Sequence, residues 1–231
     1  MKPTNSTNPT KIPNPLEGRS DGRLYELKDF VKADAGGCRG CSACCCGVGE
    51  RLKLTPFDVF QMARYLDLSF DALLARHLEL RTNEKITLPY LRMLGPAERC
   101  SFLSAEGRCA IHACRPDLCR LFPLGRVYVD GDLKYFLQVG ACVKPNLKQV
   151  KVESWIGIEN YEQNKAFLLA WHNCLKALAF RFKFVRDEEE LKEANAFLLE
   201  TFYRMALKAG EDFYEAFYGR LARAKDRLGI L

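Results

Sequence analysis

Gly36-Gly37-Cys38-Arg39-Gly40-Cys41-Ser42-Ala43-Cys44-Cys45-Cys46-Gly47 places five cysteines within nine positions, in a chain of 231 residues that holds eleven. The spacing Cys-x-x-Cys-x-x-Cys-Cys reads as a metal-chelating loop. Thiolate is the form of cysteine that ligates metals, and crowded thiolates repel one another unless a cation neutralises them. Zinc and iron-sulfur centres are the two chemistries to which this crowding points.

A second cysteine block runs from Cys100-Ser101-Phe102-Leu103 through Gly107-Arg108-Cys109-Ala110-Ile111-His112 to Cys114-Arg115-Pro116-Asp117-Leu118-Cys119-Arg120-Leu121-Phe122-Pro123. Two short strands around a glycine turn are expected here, then a single helical turn begun at Pro116. Val127 to Phe136 carries Asp130-Gly131 between two strand-like runs, the signal of a two-residue primed hairpin turn. Cys142 lies just past the second run, so the hairpin is expected to return a distant cysteine to the cluster. Ligands converge from both blocks.

A chain of this length buries a substantial core without disulfides, so scarcity of core does not explain the cysteines. Their odd number argues against a fully paired framework. Met1 to Ser20 is polar and proline-rich with no apolar signal segment, which leads to the expectation of a cytoplasmic protein whose thiols stay reduced. The longest apolar run, Ala166 to Trp171, is six residues, far short of the roughly 20 that a membrane span needs. No membrane partner is expected.

The formal net charge is +6, with seven Lys or Arg against ten Asp or Glu from Asp187 onward and 28 against 19 before it. The positive excess therefore travels with the cysteines. Eight thiolates around two doubly positive centres leave about four negative charges, which offset part of that excess. Neither a zinc-finger helix spacing nor an aromatic RNA-binding strand is present, and nucleic acid is not expected as a partner.

Elsewhere, residues 1–20 hold four prolines among Asn, Thr and Ser and read as a disordered tail. Residues 24–35 form a short strand or turn leading into the cysteine loop. Leu54-Thr55-Pro56-Phe57-Asp58 is a helix start, with Thr55 as N-cap, Pro56 at the first helical position and Asp58 near the positive dipole end. Ser69 caps a short helix through about Leu78, and Ile86 to Leu94, interrupted by Pro89, is expected to be extended and peripheral. From Glu159 long helices follow: Tyr161, Leu168, Trp171, Leu175, Leu178 and Phe182 recur at helical steps, then Leu191, Ala194, Leu198 and Phe202, then Phe213, Phe217, Leu221 and Leu228. These stripes read as helix-helix contact, not as a cofactor box. The organisation expected is a tail at 1–20, a cysteine-cluster metal-chelating domain at 21–150 and a helical region at 151–231.

Cys38, Cys41 and Cys44 match the start of a bacterial ferredoxin loop, but the fourth cysteine would fall at Val48, which excludes a simple ferredoxin. The C-x-x-x-C-x-x-C spacing of radical enzymes fails at the same valine. Paired zinc knuckles fail because the second C-x-x-C is missing.

Cys38, Cys41, Cys44 and Cys45, the Leu54-Thr55-Pro56-x-Asp58 helix start, Cys100-x-Phe102-Leu103, Gly107-x-Cys109-x-Ile111, Arg115-Pro116-x-x-Cys119-Arg120-x-Phe122-Pro123 and Cys142 together resemble the YkgJ-type cysteine-cluster family of zinc- or iron-chelating domains. The resemblance covers about residues 38 to 142. It implies eight metal- and cofactor-binding residues, Cys38, Cys41, Cys44, Cys45, Cys100, Cys109, Cys119 and Cys142, enough for two four-thiolate sites or one cluster with auxiliary ligands. Cys46 and Cys114 stand as alternate ligands, and Cys174 reads as a small buried apolar residue. One branch of the family resembles the flagellin lysine N-methylases, iron-sulfur proteins that modify surface lysines. That branch implies an enzymatic alternative, although no glycine-rich nucleotide loop follows a strand here.

His112, His77 and His172 read as structural side chains. Arg115 and Arg120 are placed to donate hydrogen bonds to cluster sulfurs or to offset their charge, the supporting role metal sites need. Glu188, Glu189 and Glu190 suit a helix N-terminus, and no catalytic set emerges from spacing. The fold class expected is α+β: a small irregular metal-binding module with a β-hairpin, followed by C-terminal helices. The function expected is a cysteine-ligated iron-sulfur cluster, 4Fe-4S favoured and zinc the alternative, in a redox, sensing or assembly role. A lysine N-methylase, an iron-sulfur oxidoreductase and a structural zinc-binding interaction module are the competing readings. A protein partner is expected on the C-terminal helices.

Overall fold

The computed structural model describes residues 18–36, 41–205, 207 and 210–230. Most of the expected tail, and Cys38, lie outside them. In chain order the elements are β1 (Phe30–Asp34), α1 (Pro56–Leu66), α2 (Phe70–Arg76), β2 (Leu78–Asn83), β3 (Ile86–Leu91), β4 (Met93–Leu94), β5 (Arg99–Cys100), α3 (Asp117–Leu121), β6 (Leu124–Val129), β7 (Asp132–Leu137), β8 (Lys148–Lys151), α4 (Val152–Ile156), α5 (Tyr161–Phe182), α6 (Glu188–Phe202) and α7 (Phe213–Leu228). The strands pair antiparallel as β1-β8, β2-β3, β4-β5 and β6-β7. The class is α+β, with every described cysteine except Cys174 of α5 ahead of the C-terminal helices.

Local chemistry sets the short elements. Thr55 Oγ1 accepts from the Asp58 amide at 3.2 Å while the Asp58 carboxylate accepts from the Thr55 amide at 2.8 Å, a reciprocal cap that starts α1. Ser69 caps α2, which stops at Arg76, slightly short of the expected Leu78. Asp130 and Gly131, at φ 51° and 75°, make the two-residue turn between β6 and β7. Asp187 and Asp212 cap α6 and α7 through side-chain oxygens.

The β2-β3 hairpin corrects one expectation. Ile86 to Leu91 is extended but central: Ile86, Leu88, Tyr90 and Leu91 are buried, because α5 and α6 pack over the hairpin. Its turn residues Glu84 and Lys85 are both left-handed, at φ 48° and 64°, without a glycine. Asn195 of α6 supplies what the turn lacks locally. Its side chain donates to the Lys85 carbonyl at 2.9 Å and accepts from the Thr87 amide at 2.6 Å.

Two apolar clusters result. The larger joins α1, α2 and β2-β3 to α5, α6 and α7, around Phe167, Phe182, Phe202 and Phe217, each at most 1% exposed. The smaller lies beneath β1, β6, β7 and α4, around Val31, Leu124, Tyr135 and Val152. Pairing of β1 with β8 sets Val31 opposite Val150 and so draws the two ends of the 30–151 stretch together.

Candidate metal centre

The first cysteine turn is a single 3-10 turn, Ala43–Cys45, in which the Cys45 amide donates to Ser42 O at 2.9 Å and the Cys46 amide to Ala43 O at 3.3 Å. Gly47, at φ 66°, then donates to Glu98 O at 3.0 Å, and Cys46 bridges Arg99, which docks the turn beside β5 and its Cys100. Leu103 and Cys109 form one bridge across Gly107, so the expected pair of strands is reduced to a tight loop. Gly107 itself stands against the first turn, with Ser42 Oγ only 3.6 Å from where a Cβ would be. His112 to Cys114 is a 3-10 turn.

Cys119 sits on α3, which is anchored at both ends. At its start the Asp117 amide donates to Asp58 Oδ1 at 2.8 Å, and the Asp117 carboxylate pairs with Arg126 in a nearly solvent-free ion pair. At its end the indole of Trp155 donates to Leu121 O at 3.0 Å. Asp58 therefore does two jobs: one oxygen caps α1 and the other receives the N-terminus of α3. The sequence signalled the first through Thr55-Pro56; nothing local signalled the second.

Where the two apolar clusters meet, a cavity of about 440 Å³ opens, and Cys41, Cys44, Cys45, Cys100, Cys109 and Cys119 all line it. A much smaller neighbouring pocket is lined by Cys142 together with Cys41 and Cys44. Six of the eight expected site residues thus share one cavity and a seventh adjoins it; Cys38, the eighth, lies outside the described residues. All the described cysteines are free. Cys174 is buried in the larger cluster on α5, apart from the cavity, and burial pushes its thiol up to about 11.

The thiols feel one another. A hydrogen bond with Cys45 pulls the Cys44 thiol down to about 7, with the Arg115 guanidinium adding to the pull, and the same bond together with burial pushes Cys45 far up. Burial raises Cys100, Cys109 and Cys119, and neighbouring thiols raise them further. Cys114 is raised by burial and then by Cys109. Cys44 is thus the thiol of the set that ionises most readily, while the bond to Cys44 keeps Cys45 protonated and burial keeps the others so.

Among the described residues, no three thiols, imidazoles or carboxylates close on a point as the ligands of a single ion do. The thiols surround a space instead. Their sulfur-only donor chemistry fits zinc or an iron-sulfur centre and disfavours hard cations. His112 lines the cavity, whereas His77 stacks on Phe102 at 4.1 Å and His172 on Tyr128 at 3.8 Å as packing groups. Arg115 also lines the cavity, and Arg120 lies near enough to lower the Cys114 thiol. The wall made by Leu124, Gly125, Arg126, Phe136 and Gln138 was not expected from sequence. Its one legible sign was the hairpin itself.

Comparison with known proteins adds one match. The model of the CxxCxxCC family, described as "Putative zinc- or iron-chelating domain", matches residues 37–151, from the first cysteine turn to the last residue of β8. No curated protein and no solved structure matched the chain.

Proposed function

Because residues 37–151 of this chain belong to the CxxCxxCC family, we propose that the protein is a cytoplasmic iron-sulfur protein that holds a 4Fe-4S cluster for a redox, sensing or assembly role. Its ligands come from Cys38, Cys41, Cys44, Cys45, Cys100, Cys109, Cys119 and Cys142. The observation that carries the reading is the dispersal of six thiols around a cavity of about 440 Å³. A structural zinc ion needs four donors converging on one point, whereas a cluster is a body with several metal corners and accepts thiolates from separate walls. When bound, the cluster supplies one-electron chemistry.

The chain's own residues then do three things. The docked 3-10 turn and the loop at Gly107 aim thiols from two blocks at one space. Asp58, Arg126 and Trp155 hold α3, and with it Cys119, at the cavity wall. Arg115 offsets negative charge near Cys44 and Cys109.

The test is a serine series on anaerobically produced protein. Cys44→Ser, Cys100→Ser and Cys119→Ser should each lose most of the bound iron, and Cys174→Ser should keep it. Retention of full iron by all three cavity variants would remove these residues from the ligand set. S-adenosylmethionine should not bind in calorimetry; micromolar binding, with methyl transfer to a lysine-bearing protein, would replace this reading by the methylase.

A further inference from the structure

We propose that the same cavity holds, beside its metal, a site for a small organic anion with an apolar body. Four arginines, Arg51, Arg108, Arg115 and Arg126, line it, and no Asp or Glu does among the described residues. Arg126 is spent on Asp117, and among the described residues Arg51 makes a long contact of 3.4 Å to the Gly47 carbonyl. Arg108 has no carboxylate partner among the described residues. Two exposed guanidinium groups at the rim of a concave site are donors for a carboxylate or phosphate.

The remaining wall is apolar and shaped. Leu118, Phe122, Leu124 and Phe136 face the cavity, and the Phe136 ring lies directly over Gly125, its cross-strand partner. A Cβ at position 125 would stand 2.2 Å from Phe136 Cζ, so only glycine lets the ring lie there. At about 440 Å³ the space falls within the ~300–1,000 Å³ of small-molecule sites, which pair apolar walls with a few charged groups in this way. The site goes beyond the metal-binding reading and is tested apart from it.

The probe is phenyl phosphate, titrated by calorimetry into the full-length protein, with benzamidine as the cationic counterpart and inorganic phosphate lacking the apolar body. Phenyl phosphate should bind one per chain with a dissociation constant below about 1 mM, inorganic phosphate more weakly, and benzamidine not at all. The double variant Arg51→Gln/Arg108→Gln should weaken phenyl phosphate about tenfold or more by removing charge-assisted donors. Gly125→Ala should weaken it by displacing the Phe136 ring. Metal is quantified on the same samples, so a lost cluster and a lost anion site are read separately. If Gly125→Ala does not fold, the double variant, made at two exposed residues, decides alone. No phenyl phosphate binding by wild type, equal binding of benzamidine, or binding that the double variant leaves unchanged would overturn the proposal.

Discussion

The thiol cavity and the C-terminal helices are held together by opposite means. Around the cavity the chain is mostly turns and two-residue strands, tied by single backbone bonds such as Gly47 to Glu98. In α5, α6 and α7 the contacts are aromatic edges and faces: Phe167 on Phe217 at 4.7 Å, Trp171 on Phe202 at 5.1 Å, Phe57 on Phe213 at 4.9 Å. The helices have what they need to stay folded in their own side chains. The cavity is lined instead by thiols of a zinc- or iron-chelating domain, and that difference locates where the protein is sensitive to metal.

Metal removal should therefore have the largest and most unequal effect. Because α1 and β2-β3 share the larger apolar cluster with the C-terminal helices, they should stay protected along with α5 to α7. Loops 41–52 and 99–123 should gain amide exchange by orders of magnitude. Uniform loosening of the whole chain, or no change in those loops, would erase the contrast.

The converse break is Phe167→Ala, which empties a fully buried aromatic site contacted by Phe57, Phe213, Tyr214 and Phe217. A loss of about 3–5 kcal/mol is expected in denaturant unfolding. The folded fraction should bind its full metal complement. A loss below 1 kcal/mol would show that the helices are not held as argued.

Asp58 links the two regions, and its titration sharpens the comparison. Burial first, and then the Asp117 carboxylate, raise its pKa from 3.8 to about 6. Asp117, Cys119, Arg120, Arg126, Tyr128 and Tyr203 are among the ionisable groups around it. A raised carboxyl pKa means that the folded state holds the proton more tightly than the unfolded one. The stabilisation from Asp58 is thus complete below about pH 4 and is lost as pH rises through about 6. Two units correspond to ~3 kcal/mol. Wild type minus Asp58→Asn, measured by unfolding from pH 4 to 8, should fall across that window; a flat difference would contradict the burial argument.

The smallest effect separates the two hairpins. Gly131→Ala puts a side chain at φ 75° in β6-β7 and should cost about 1–2 kcal/mol. Asn195→Ala should destabilise β2-β3 by a similar amount although it lies 110 residues from Lys85 in sequence. Amide exchange at Thr87 reads the second directly, and an unchanged Thr87 would make Asn195 dispensable.

That contrast also explains what was legible in advance. The β6-β7 turn, the Thr55, Ser69 and Asp187 caps and the three aromatic stripes are encoded by neighbours in sequence, and each was readable. The Glu84-Lys85 turn is not, since Asn195 and α6 stabilise it from afar. For the same reason β3 was placed at the periphery, when helices more than 70 residues away cover it. At the candidate site the family resemblance named eight cysteines, six of which line one cavity. Gly125, Phe136 and the second bond of Asp58 depend on which elements meet, and no local pattern announces them.

The central claim is that the dispersed thiols hold a cluster, not a lone ion. Its most direct test is to purify the full-length protein anaerobically and quantify iron, acid-labile sulfide and zinc alongside the visible spectrum. The protein should be brown, with iron and sulfide in near-equal amounts and broad sulfur-to-iron absorption. Colourless protein carrying one or two zinc ions and no iron would contradict it.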